Sequence, residues 1–230
     1  MVIINSALNN KKRYVMEPIY SRQNELFAME LLARFDNSQN TEKYIQQMNS
    51  VEKQALFVDK LECIAEKKSY FIDNNILLSI DVDFSTVAFL LQDLPTKNLL
   101  DKLPFIRLEI SENFPNLNDG KHNPLLTKLH ECYPLWLGDF GSGNANLYAV
   151  TQSIFDYIKL DKNFYQQIIK HEKSYILSVL IESIKKYCSG VIIEGVQHHS
   201  EYYFLEECEI DGIQGDIYPK YTLDDINSLK

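Results

Sequence analysis

The sequence predicts one α/β domain, a barrel in which strands alternate with helices. Three observations predict it. Short apolar runs stop abruptly at an acidic side chain, and Glu30, Asp81, Glu109, Asp139, Asp161 and Glu194 all stand at or just past such an end. Between the runs lie segments with apolar residues at helical spacing. Finally, 230 residues, 45% apolar and 24% charged, suffice for one sizeable core of that kind. No linker, low-complexity tract or shift of composition divides residues 1–230.

In chain order, Tyr14 to Ile19 and Glu25 to Leu32 read as strands around the polar turn Ser21-Arg22-Gln23-Asn24. Alternation along the second puts Glu30, Leu32 and Arg34 on one face. Thr41 to Lys68 has helical spacing, with Tyr44, Met48, Val51, Leu56, Leu61 and Ile64. Ile76 to Ile80 is a strand running into Asp81, and Ser85 then reads as the N-cap of a helix over Thr86 to Leu91. Phe105 to Ile110 carries Glu109 near its end, with Glu112 just beyond. Asn113 to Pro124 is a polar loop and Leu125 to Glu131 a short helix.

The buried run Leu135-Trp136-Leu137 ends at Gly138-Asp139-Phe140-Gly141-Ser142-Gly143, an acid followed by a glycine-rich turn. Phe155 to Leu160 delivers Lys159, and Phe164 to Lys186 reads as a helix broken around His171 and Glu172. Val191 to Ile193 ends in Glu194-Gly195, Ser200 to Glu207 is a helix, Gly212 to Gln214 a last strand, and Leu223 to Leu229 a closing helix.

Composition excludes several classes of function. A net charge of -9 without a Lys/Arg-rich face argues against binding to nucleic acid or to an anionic membrane surface. Cys63, Cys132, Cys188 and Cys208 are scattered, so neither a zinc site nor a disulfide framework is expected. With no secretory leader and no apolar run of membrane-spanning length, the expected location is the cytoplasm. His122, His130 and His171 fall in polar or helical surface contexts, and His198-His199 sits in a turn.

In a barrel, strand ends converge on one rim, and the rim carries the chemistry. Each acid alone is as readily a solvated loop residue or a helix N-cap. Four or five together repel strongly unless cations neutralise them. Carboxylates without thiolate or imidazole partners suit Mg²⁺, Mn²⁺ or Ca²⁺, and a pair of such ions serves in-line phosphoester hydrolysis. Lys159 fits as a group that orients a hydroxide and phosphate charge.

Seven segments, in order, resemble the EAL-domain family of cyclic-di-GMP phosphodiesterases. Glu30-Leu31-Leu32-Ala33-Arg34-Phe35 resembles EALLRW, Leu78-Ser79-Ile80-Asp81 resembles LSVN, and Glu109-Ile110-Ser111-Glu112 resembles EITE. Gly138 to Gly143 is similar to DDFGTG, Tyr157 to Asp161 to YIKID, Glu194 to Gln197 to EGVE, and Gln214-Gly215 to the closing QG. The resemblance implies a TIM-like (β/α)8 barrel with an antiparallel first strand, frequent dimerisation, and Mg²⁺ or Mn²⁺ as cofactor. Ca²⁺ would be bound without turnover. The reaction it implies is cleavage of cyclic di-GMP to pGpG. Residue by residue, Glu30, Asp81 and Glu109 would hold one metal, and Asp139 and Glu194 the other, with Lys159 assisting the hydroxide. Arg34 would approach a substrate phosphate, Gln214 and Glu17 would lie by the substrate, and Glu112 would tether the loop after Asp139.

The departures from the family are specific. Asp81 stands where the family has Asn, Glu17 where it has Gln, and Gln197 where it has Glu. Gly138 replaces the Asp that in the family bridges both metals. The chain also resembles a branch of short, stand-alone EAL-like proteins that have lost hydrolysis and bind the flagellar master activator, a transcription regulator. That similarity lies in Leu137-Gly138, in Asn113 to Lys121 and in Leu160-Asp161-Lys162. The sequence therefore implies a phosphodiesterase weakened at Gly138, or else a non-catalytic regulator that binds cyclic di-GMP, a protein partner, or both.

Overall fold

A computed structural model describes residues 12–36, 40–143, 145–170, 174–205 and 208–228. The strands are β1 (Lys12–Tyr20), β2 (Leu26–Phe35), β3 (Leu77–Asp81), β4 (Ile106–Ser111), β5 (Leu135–Phe140), β6 (Tyr157–Leu160), β7 (Gly190–Ile193), β8 (Gly212–Gln214) and β9 (Tyr221–Thr222). From β2 to β8 each strand pairs in parallel with the next. β1 closes the ring by pairing antiparallel with both β2 and β8, and β9 adds two residues to β1. The expected TIM-like barrel with an antiparallel first strand is thus present.

The two faces of the strands do different work. Outward-facing Met29, Leu31, Leu78, Ile80, Leu108, Ile110, Leu137, Ile158 and Ile193 pack in one large apolar cluster under the surrounding helices. Burial of that face explains the apolar look of the runs. The inward face has two storeys. Ile19, Ala28, Trp136 and Ile192 form a small apolar plug low in the barrel. Two positions nearer the rim stand Glu17, Glu30, Gly138 and Glu194, Glu17 preceding Ile19 because β1 runs the other way, since successive inward positions differ by two. Polar residues therefore collect at the carboxyl rim above a dry floor.

Several expected boundaries shift for local reasons. The helix expected over Thr41 to Lys68 is two helices, Thr41–Gln47 and Ser50–Ala65, because Asn49 and Glu52 form a capping box that restarts the chain. Asp83, not Ser85, caps the helix Phe84–Leu90, accepting from the Thr86 N–H at 2.9 Å. The loop after β4 holds a 3₁₀ helix, Leu117–His122, with Leu117 buried. The closing helix is replaced by β9 and a 3₁₀ turn, Asp225–Ser228. Helices Lys162–Lys170 and Ser174–Ile184 stand where one broken helix was expected, and the break at His171 and Glu172 lies outside the described residues.

Candidate functional site

Lys159 is the centre of the rim. It points inward from β6, is 0% exposed, and its Nζ lies 2.8 Å from Glu30 Oε2, 2.8 Å from Glu109 Oε1 and 2.7 Å from Glu194 Oε1. Three carboxylates from β2, β4 and the end of β7 therefore share one ammonium. Gln214 of β8 donates from Nε2 to Glu30 Oε2 at 2.6 Å, which satisfies that oxygen twice. The Gln214 Oε1 and Ser79 Oγ atoms beside it are buried without a protein partner.

The electrostatics follow from crowding in a desolvated space. Burial and the neighbouring acids push Glu109 well above the ordinary carboxylate range, against the pull of Lys159. Burial raises Glu194 to about 7, with Lys159 opposing and Glu30 adding to the rise. Asp81 opens to the cavity by surface area yet sits deep in the barrel mouth. Desolvation there and the charge of Glu30 push it up to about 6. Glu30 also loses solvation, but Lys159, Gln214 and Lys60 outweigh that loss and hold it below its usual value. The same acids hold Lys159 well above the ordinary lysine range despite its burial.

Glu30, Asp81 and Glu109 bring one carboxylate oxygen each to within 4.8 Å of one another, a donor set that suits one hard divalent cation. No other such trio occurs among the described residues. Asp139 and Glu194 line the same cavity of about 620 Å³ but do not join it as a compact second set. Gly138 accounts for part of this. A Cβ there would collide with Glu109 Oε1, so the Glu109 carboxylate leans into the space that a side chain at 138 would fill.

Asp139 is displaced by a bulge. The β5–β6 register runs from Leu137↔Ile158 to Phe140↔Leu160, with one extra residue on β5. Asp139 takes the left-handed conformation at φ 56, and its side chain ends exposed at the rim. Just beyond, Glu112 accepts from the Gly141 N–H at 2.6 Å, the Ser142 hydroxyl at 2.8 Å and the Gly143 N–H at 2.9 Å. Gly141 has φ 103, which favours glycine there.

The remaining expected residues separate. Glu17 and Arg34 line the cavity, but Glu17 is paired with Lys220 at 3.1 Å. Asp161, one of the strand-end acids, is a helix N-cap, accepting from the Phe164 N–H at 3.0 Å. The sequence reading missed Lys60, a lysine within the buried stripe Leu56, Phe57, Leu61 and Ile64 of the helix Ser50–Ala65. Its spacing was the available signal, since a charged residue on an apolar face is rarely idle. The β5 bulge left no sequence signal beyond the glycines around it.

Fold and rim define an eight-stranded α/β barrel whose carboxyl mouth is an acid cage around one buried ammonium. The EAL domain model matches residues 2–221, and the chain belongs to the EAL-domain family. It is 29% identical over 218 residues to the putative anti-FlhC(2)FlhD(4) factor YdiV of Escherichia coli K12, covering 92% of each chain. It is 27% identical over 215 residues to the cyclic di-GMP phosphodiesterase PdeH of the same organism, covering 90% of this chain and 83% of that one. The crystal structure of the EAL-like domain protein YdiV superposes with a TM-score of 0.87 at 28% identity, covering 95% of each chain. No helix among the described residues is long and apolar enough to cross a membrane.

Proposed function

We propose that this chain is an EAL-like signalling protein of the cytoplasm that acts by binding, with hydrolysis of cyclic di-GMP slow or absent. One observation carries the reading: Gly138 supplies no carboxylate, and Glu109 leans into the space where the family's bridging Asp would stand. The donor set fits one Mg²⁺, Mn²⁺ or Ca²⁺ ion on Glu30, Asp81 and Glu109 better than it fits two. Such an ion would supply charge neutralisation and a polarised phosphoryl oxygen. Asp139 and Glu194, without the bridge, are a weak seat for a second ion, and Lys159 already neutralises Glu194. The partner class we propose is a flagellar transcription regulator, since a relative that matches this chain nearly end to end is named as an anti-FlhC(2)FlhD(4) factor.

A second reading, a slow metal-dependent phosphodiesterase, is favoured by the retention of Glu30, Glu109, Lys159 and Glu194 in one cage. In that reading Lys159, Glu194 and Asp139 are catalytic and Arg34, Gln214 and Glu17 contact substrate. One experiment separates the two. The purified protein is incubated with cyclic di-GMP and Mn²⁺ while pGpG is followed by chromatography, beside a binding titration against the FlhC–FlhD complex. Saturable binding with no pGpG above background is the expected result. Turnover of a few per second, typical of enzymes, overturns the binding-only reading.

A further inference from the structure

Lys60 lines the rim cavity and feels the charges of Asp81, Glu30 and Glu109, yet makes no ion pair with any of them among the described residues. It is 6% exposed and shares the buried face of the helix Ser50–Ala65 with Leu56, Phe57, Leu61 and Ile64. The preceding residue fixes that face: Asp59 pairs with Lys12 Nζ at 2.7 Å and accepts from the Tyr14 hydroxyl, both on β1. Lys60 is thereby turned into the cavity that Glu30, Asp81 and Arg34 also line.

Three other lysines at the mouth are already paired. Lys53 pairs with Asp83 at 2.9 Å and Lys220 with Glu17 at 3.1 Å, while Lys159 takes three carboxylates. Among the described residues, Lys60 has neither an ion pair nor a hydrogen bond. An ammonium carries three donors and no acceptor, and on the cavity wall those of Lys60 are left for a ligand. Arg34 faces the same cavity, having spent one donor on the Ala33 carbonyl at 3.1 Å, and its positive charge acts on Lys60. Asp81, Glu30 and Glu109 also act on Lys60, but none of them bonds to it, so the donors of Lys60 and the remaining donors of Arg34 are open to a phosphate oxygen entering the cavity.

We propose that Lys60, together with Arg34, forms a seat for a phosphate group of a nucleotide ligand on the helix side of the barrel mouth. The family resemblance implies a phosphate contact for Arg34, and the proposal adds Lys60 to it on the geometry of this rim. The proposal rests on the reading that the cavity takes cyclic di-GMP. It also explains how a mouth rich in carboxylates can admit an anion: two cations that no carboxylate engages in an ion pair face the entering phosphate.

The test measures affinity for cyclic di-GMP and, separately, for pyrophosphate, by calorimetry in Mg²⁺ and in EDTA. The unmodified protein is compared with Lys60→Met and Lys60→Arg. Met keeps the length of the side chain on an apolar stripe, so Lys60→Met is expected to fold, which its thermal midpoint checks. Loss of one charge-assisted hydrogen bond weakens binding by about tenfold to a hundredfold. Lys60→Met is expected to show that loss for both probes, and Lys60→Arg to stay within about threefold of the unmodified protein. Equal binding of cyclic di-GMP by the unmodified protein and Lys60→Met overturns the seat and leaves the nucleotide reading standing. Lys60-dependent binding of pyrophosphate without binding of cyclic di-GMP overturns the nucleotide reading and leaves the seat. No binding of either probe overturns both.

Discussion

Glu109 Oε1 occupies the space that a side chain on Gly138 would need. The two residues stand on adjacent strands, and the same carboxylate accepts from Lys159 through Oε1 at 2.8 Å and Oε2 at 3.1 Å. The missing carboxylate at 138 has therefore not left a simple gap. Glu109 stands over the glycine and holds Lys159 there.

Restoring the carboxylate tests this arrangement. Gly138 does not use a left-handed backbone, so Asp can adopt its conformation, and only the tip of the flexible Glu109 side chain stands in the way. Gly138→Asp is expected to push Glu109 back, to raise Mn²⁺-dependent pGpG formation at least about tenfold, and to lower the thermal midpoint by a few degrees. Chromatography of the nucleotide products checks it. Unchanged activity with an unchanged midpoint would mean that position 138 governs neither metal binding nor the cage.

Metal binding should depend on Asp81. Three carboxylates with oxygens within 4.8 Å need a cation or a proton. Asp81→Ala removes one ligand and is expected to weaken Mn²⁺ binding by about tenfold or more, while Asp81→Asn, which keeps an oxygen, loses less. Calorimetry reads both, and a complete absence of divalent-ion binding in the unmodified protein refutes the site.

Lys159 neutralises three acids at once. Removing one partner of a buried ionic network leaves uncompensated charge and costs about 3–5 kcal/mol. Lys159→Met is expected to show that loss in urea unfolding without metal, and Mn²⁺ should return part of it by supplying positive charge to the same carboxylates. A variant as stable as the unmodified protein in EDTA would show that the cage carries no such strain.

The pH dependence has a definite sign. Asp81, raised from 3.8 to about 6, and Glu194, raised from 4.5 to about 7, hold their protons to higher pH in the folded chain than in the unfolded one. Their contribution to stability is therefore lost as pH climbs through the window from about 4 to about 7. Glu30, whose value is lowered, works oppositely, but its window lies below 4.5. The urea midpoint without metal is expected to be lower at pH 8 than at pH 5.5, with Mn²⁺ narrowing the gap. A midpoint that rises over that range contradicts the assignment.

The sequence by itself determined the barrel, because the alternation of apolar runs with helical spacing and the acids at run ends are properties of consecutive residues. It also determined which strand ends carry Glu30, Asp81, Glu109, Asp139 and Glu194, and that Gly138 lacks a carboxylate. Only the tertiary structure decided how these groups share their charges. Lys159 meets Glu30 across 129 positions of sequence, and Gln214 meets the same carboxylate across 184, and no local pattern records such pairings. The bulge that sets Asp139 at the exposed edge of the cavity depends on the register of β5 against β6, set by two strands together. Whether an acid is a helix cap, as Asp161 is, or part of the cage, as Glu194 is, depends on which donor lies nearest in space. Lys60 shows the same limit. Its place on an apolar stripe was written in the sequence, but its reach to the carboxylates of the mouth depends on where three separate strands leave them.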